Sequence, residues 1–177
     1  MTDPHAVEHL YVDRQLWPFF DDEVERREYS RALTTAGHNV GPYLLESWWR
    51  RGLIDNTELG RLVLHVWSAA EAPATKLAWR TWRDIFRTTG YIGELPRPTK
   101  HLTLYRGGRP RGWSWTRDLT IAREFANRPQ NPTGVWQATV PPRAVMAQLT
   151  DEQHRGACEV IVNPWCLRGG ATPRSTE

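Results

Sequence analysis

Three residue types in the second half of the chain could do chemistry. Arg106 lies in "LTLYRGGRPRGWSWTRD", Ser114 and Thr116 follow in the same stretch, and Glu159 lies in "ACEVIV". An arginine offers a planar, permanently charged fork that holds phosphate or carboxylate bidentately. A hydroxyl both donates and accepts, so it orients what lies beside it. A carboxylate stabilises developing positive charge, most strongly where water is excluded. Singly, none of the three is specific. Strand alternation puts Glu159 on one face with Ile161, opposite Val160 and Val162, and that face is either solvated or turned into a cleft. Ser114 could equally be a strand hydroxyl satisfied locally, and Arg106 a surface arginine. The same alternation points Trp113 and Trp115 together, away from Ser114. If Ser114 faces a cleft, those tryptophans belong to the core.

The elements that must position these residues are short. "HLTLYR" alternates and reads as a strand ending at Arg106. "DLTIAREFANR" reads as a short helix, with Asp118 as N-cap and Ile121, Ala122 and Phe125 on one side. "GVWQATV" alternates up to Pro141-Pro142, "RAVMAQL" is a short strand or a turn of helix, and "GACEVIVNP" is a strand ended by Pro164. Earlier residues follow a helical period. "DDEVERREYSRALTTAG" has acidic residues at its start and Gly37 at its end. "GPYLLESWWRRGL" is an amphipathic piece ending near Gly52. "DNTELGRLVLHVWSAAEA" starts at Asp55 or Asn56 and sets Leu62, Val63, Val66 and Trp67 on one face. "PATKLAWRTWRDIFRTTG" begins with Pro73 near a first turn and stops at Gly90. It places Trp79, Trp82 and Phe86 at i, i+3 and i+7, with Ile85 beside them. Aromatics at helical spacing make a core or a ligand box, and core is the expectation. "GYIGELPRPTKH" has no periodicity and reads as a linker. The chain is therefore α+β: a helical region over 1–95, a compact β-rich core over 96–166, and a flexible tail over 167–177.

Composition narrows the classes. With 177 residues, 40% hydrophobic and 24% charged, the chain suits one domain, or a small domain with an extension. No apolar run approaches the roughly 20 residues that cross a bilayer. The N-terminus lacks the basic and apolar regions of a signal peptide, so a cytoplasmic location, in its own cell or a host's, is expected. Cys158 and Cys166 lack metal-ligand spacing, and His5 and His9 have no third ligand beside them, so no metal is expected. Residues 1–95 carry 11 basic and 14 acidic side chains, and residues 96–177 carry 12 and 6. All but Lys76 and Lys100 of the basic residues are arginine. A GC-rich genome would give that bias, and so would phosphate or carboxylate recognition by the C-terminal half. There is no helix-turn-helix, zinc motif or RNA-binding sheet signature to favour a plain nucleic-acid binder.

Taken in order, "LYRG" at 104–107, "WSWT" at 113–116 followed by "DLTIAREFA", and "CEVIVNP" at 158–164 resemble the ADP-ribosyltransferase superfamily. The branch is the Arg–Ser–Glu one, typified by cholera-toxin-like enzymes. The resemblance covers residues 100–165 and does not extend to residues 1–95. It implies a mixed β core of two split sheets, with an Arg ending the first core strand. A Ser-x-Thr motif opens the next strand, a short helix follows, and a Glu sits on a late strand.

The resemblance implies a mono-ADP-ribosyltransferase, a glycosyltransferase that uses NAD as substrate and modifies a macromolecular acceptor, protein or nucleic acid. Glu159 would hold the nicotinamide-ribose 2′-hydroxyl and stabilise the cationic sugar, a state akin to the oxocarbenium of glycoside hydrolysis. Arg106 would anchor a phosphate or the ribose, and Ser114 would orient Glu159 with support from Thr116. Tyr105 and Gly107 would border the NAD site, and Phe125 or Trp136 would stack on nicotinamide. Arginine-modifying members usually carry a second Glu two residues before the catalytic one, and others carry Gln there. This chain has Ala157, which leaves the acceptor open, with Glu152 or His154 as substitutes. The same site could act as an NAD glycohydrolase, or the fold could bind a nucleotide or protein without chemistry. Small enzymes of this kind serve as toxins, phage proteins that modify a host, or anti-defence factors. The helical region could cover the NAD cleft, recognise the target, bind an inhibitor or antitoxin, or act as a brace.

Overall fold

The computed structural model describes residues 26–37, 39–93, 95–129, 134–150, 158–167 and 170–174. The acidic start expected for the first helix, and His5 and His9, lie outside these residues. The chain divides between Thr89 and Gly90 into two compact units.

The first unit is helical: α1 (Arg26–Ala36), α2 (Gly41–Arg50), α3 (Asn56–Ala69) and α4 (Trp79–Thr89). Asp55 caps α3 as expected, its carboxylate accepting the Glu58 N–H at 2.8 Å. That bond satisfies one of the backbone donors a helix start leaves open. Pro73 does not begin α4. It opens a separate 3-10 turn, Pro73–Thr75, closed by the Thr75 and Lys76 N–H groups on the Ala72 and Pro73 carbonyls. The aromatic stripe is core. Trp82 and Phe86 are fully buried, and Trp67 meets Trp82 edge to face at 4.9 Å and Phe86 at 5.6 Å. Edge-to-face contact sets the positive ring edge on the negative ring face. The Trp82 indole N–H is satisfied by the Pro73 carbonyl at 3.0 Å. Trp79 stands apart, with the Arg80 and Arg83 guanidinium groups 5.5 and 5.1 Å from its ring centre.

The second unit is a seven-stranded sheet with one helix: β1 (Ile92–Gly93), β2 (Leu102–Gly107), β3 (Ser114–Thr116), α5 (Leu119–Ala126), β4 (Val135–Val140), β5 (Val145–Leu149), β6 (Glu159–Val162) and β7 (Thr172–Arg174). The strand order is β1-β5-β6-β3-β2-β4-β7, with β1–β5 parallel and all other pairs antiparallel. The fold is thus α+β. The two split sheets expected from the resemblance are instead one hydrogen-bonded sheet. Its seam lies between β2 and β3, which pair only at Tyr105 and Thr116.

Two boundaries also differ from expectation. The linker contains β1, which pairs with β5 through Ile92–Ala147 and Gly93–Gln148. The tail contains β7, which pairs with β4 through Val135–Arg174 and Gln137–Thr172. "RAVMAQL" is both of its alternatives, a 3-10 turn over Pro142–Ala144 leading into β5. The core packs one face of the sheet, with Leu104, Trp115, Ala138, Val140, Val145, Val160 and Val162 buried together.

Candidate active site

β2, β3 and β6, the strands that carry Arg106, Ser114 and Glu159, are neighbours in the middle of the sheet. Side chains of paired residues share a face. Tyr105 pairs with Thr116 and Thr116 with Glu159, so these three share one face with Ser114 and Ile161. That face is not simply solvated around Glu159. Thr116, Leu149 and Ile161 beside it are buried, while Glu159 itself is half-buried. Trp113 and Trp115 are buried on the opposite side, as alternation required.

Arg106 starts from the core face but lies at the strand end, where β2 and β3 part. Its Nε donates to the Arg109 carbonyl at 2.8 Å and its Nη1 to the Ser114 carbonyl. The guanidinium thereby closes the gap left where strand pairing stops. Gly112 makes this possible, because a Cβ there would stand 2.1 Å from the Arg106 Cζ. An arginine carries five N–H donors, so three of them have no partner among the described residues. Burial pulls this guanidinium below its ordinary pKa, and the negative charge of Glu159 opposes that pull. Arginine's intrinsic basicity keeps it charged at neutral pH. The cation and the carboxylate thus feel each other across β3.

Thr116 starts the helix that follows. Its Oγ1 accepts the Asp118 N–H at 3.0 Å, and Asp118 in turn accepts the Thr120 N–H at 2.7 Å as N-cap of α5. Gly107 is required for close packing: a Cβ there would lie 2.3 Å from the Ala122 carbonyl oxygen and 2.4 Å from the Ala126 nitrogen. The helix therefore sits directly on the Gly107 end of β2, on the face of Ser114 and Glu159. Phe125 is half-buried on this helix, with the Arg128 guanidinium 3.9 Å from its ring centre.

Trp136 does not fit its expected stacking role. It pairs with Arg106 and packs against the core cluster, on the face opposite Ser114 and Glu159. Pairing register decides this, and the sequence of β4 alone does not carry it. Ala157, Glu152 and His154 lie outside the described residues. Sequence reading missed Gly112 and Arg174. The close "RPRGW" spacing was a usable signal for Gly112, and nothing local flagged Arg174. No protein family, curated protein or solved structure matches the chain.

Proposed function

We propose that this protein is a mono-ADP-ribosyltransferase that cleaves the nicotinamide–ribose bond of NAD and transfers ADP-ribose to a macromolecular acceptor. The observation that carries this reading is the juxtaposition of Arg106, Ser114 and Glu159 on three adjacent central strands. A helix capped by Asp118 follows directly after the Ser-x-Thr stretch, in the order the resemblance implies. In the reaction, the bond between the nicotinamide nitrogen and ribose C1′ breaks, and its electron pair leaves with neutral nicotinamide. The positive charge that remains on the sugar is stabilised by the Glu159 carboxylate, in surroundings drier than bulk water. The acceptor nucleophile then bonds C1′ and gives up its proton. Arg106 fixes the backbone of Ser114 and turns its remaining donors to the substrate. Water as acceptor would make the same site a glycohydrolase.

The test is nicotinamide release from NAD by the purified protein, with and without cell lysate, beside Glu159→Gln. Release that depends on lysate and falls by at least about a hundredfold in the variant is expected, the scale of losing a catalytic carboxylate. Release at the wild-type rate in the variant overturns the site. No release by the wild type in either setting overturns the reading.

A further inference from the structure

We infer that Arg174 is a second anion-binding arginine of this site, holding the diphosphate of the dinucleotide; the inference rests on the NAD reading above. The registers of β7, β4, β2, β3, β6 and β5 align one transverse row: Thr172, Gln137, Tyr105, Thr116, Glu159 and Leu149. Arg174 pairs with Val135, two residues from Gln137, and so projects on the same face as this row. That is the face of Ser114 and Glu159.

Arg174 is held in a defined pose. Its guanidinium lies 5.3 Å from the Tyr105 ring centre, and its Nη1 donates to the Tyr105 hydroxyl at 3.2 Å and to Gln137 Oε1 at 2.7 Å. A surface arginine ordinarily loses much rotamer freedom when it grips a ligand. Here the ring and two acceptors have already removed part of that freedom. All three partners are neutral, so the charge is oriented without being cancelled. Nε and Nη2 have no partner among the described residues. They form the edge of the guanidinium that meets two oxygens of a phosphate side by side.

Distance sets the ligand. Tyr105 lies two strand spacings from Glu159 along the row, about 9–10 Å at 4.7–4.9 Å per strand. A dinucleotide that lies along the row with its nicotinamide ribose at Glu159 would bring its 5′-phosphates within reach of the Arg174 edge. Arg106 is committed to the Arg109 and Ser114 carbonyls at the loop end of the strands. The two arginines thus have separate tasks: Arg106 fixes the strand that bears Ser114 and turns its remaining donors to the substrate beside it, and Arg174 receives the diphosphate.

The experiment measures ADP binding, which reports the diphosphate without nicotinamide, together with NAD kinetics for wild type, R174Q and R174K. R174Q should weaken ADP by at least about tenfold, the scale of losing charged hydrogen bonds, and raise KM for NAD with kcat within about twofold. R174K keeps the charge and the ring contact, so it tests the fork itself should R174Q fail to fold. Its ADP affinity should also fall. Unchanged ADP affinity in either folded variant, or no ADP binding by the wild type, overturns the inference. Loss of single-stranded oligonucleotide binding in R174Q with ADP binding intact overturns it in favour of a nucleic-acid contact. If R174Q loses ADP and the wild type never cleaves NAD, the site stands and the enzymatic reading falls. If the wild type cleaves NAD and R174Q binds ADP normally, the inference falls alone.

Discussion

Three arginines of the helical unit and three of the sheet unit are held in opposite ways. In the helical unit Arg50 rests on Glu46 at 2.8 Å, Arg61 on Glu58 at 2.5 Å and Arg83 on Asp84 at 2.8 Å. In the sheet unit Arg106 rests on two backbone carbonyls, Arg117 on Gln148 Oε1 at 2.6 Å, and Arg174 on Gln137 and Tyr105. None of those three has a carboxylate within ion-pair distance among the described residues. A carboxylate partner cancels a guanidinium's field, whereas a neutral acceptor orients the cation and leaves its field standing. Arg106, Arg117 and Arg174 therefore keep their fields standing, and Arg50, Arg61 and Arg83 do not. The tryptophans follow no such division. Trp67 and Trp82 in one unit and Trp113 and Trp115 in the other are all buried.

The largest effect on stability is expected where a unit depends on packing alone. Trp82→Ala would remove the fully buried ring that meets both Trp67 and Phe86. It should cost about 3–5 kcal/mol, measured by denaturant unfolding. A loss under about 1 kcal/mol would mean that the aromatic stripe is not the core of its unit.

Next comes one substitution with opposite signs in the two units. Gly112→Ala drives a methyl into the Arg106 guanidinium. It should cost about 1–3 kcal/mol as overpacking, with a fall in NAD turnover. Gly60→Ala in α3 meets nothing closer than Thr89 at 3.9 Å and should stabilise by about 0.4–1 kcal/mol. Melting curves of the two variants check both signs. Equal effects would show that Gly112 does not make room for Arg106.

Sequence alone carried the strands that bear Arg106, Ser114 and Glu159, because alternation over "LTLYRG", "WSWT" and "EVIV" needs no tertiary information. It also separated Trp113 and Trp115 from Ser114 correctly. What it did not carry was set by partners remote in the chain. β1 and β7 are two and three residues long, too short for a period, and exist because β5 and β4 offer open edges. Pro173 sits within β7, and an edge strand tolerates a residue with no N–H to give. With β7 missed, Arg174 looked like tail. Trp136 was assigned to the wrong face because its orientation follows from its pairing with Arg106, a register no local pattern records. The capped helices were legible in part: Asp55 and Asp118 act as read, while Pro73 forms its own turn.

Two arginine substitutions separate the two kinds of contact most directly. Arg50→Gln removes the i,i+4 ion pair with Glu46, in which the arginine side chain is 60% exposed, and such pairs contribute about 0–1 kcal/mol. Even that should vanish near 1 M salt, where the screening length is about 3 Å. Arg117→Gln instead leaves the oxygen of Gln148 without its donor. That residue is 2% exposed, and its amide nitrogen is already committed to the Tyr91 hydroxyl at 2.8 Å. A buried acceptor left unsatisfied costs about 1–3 kcal/mol, and salt does not restore it, because the penalty is desolvation rather than a screened attraction. Unfolding of both variants at low and high salt should therefore give a salt-sensitive difference for Arg50→Gln and a salt-independent one for Arg117→Gln. The reverse pattern would mean that Arg117 acts through an ionic partner after all, and the division between the units would not hold at that residue.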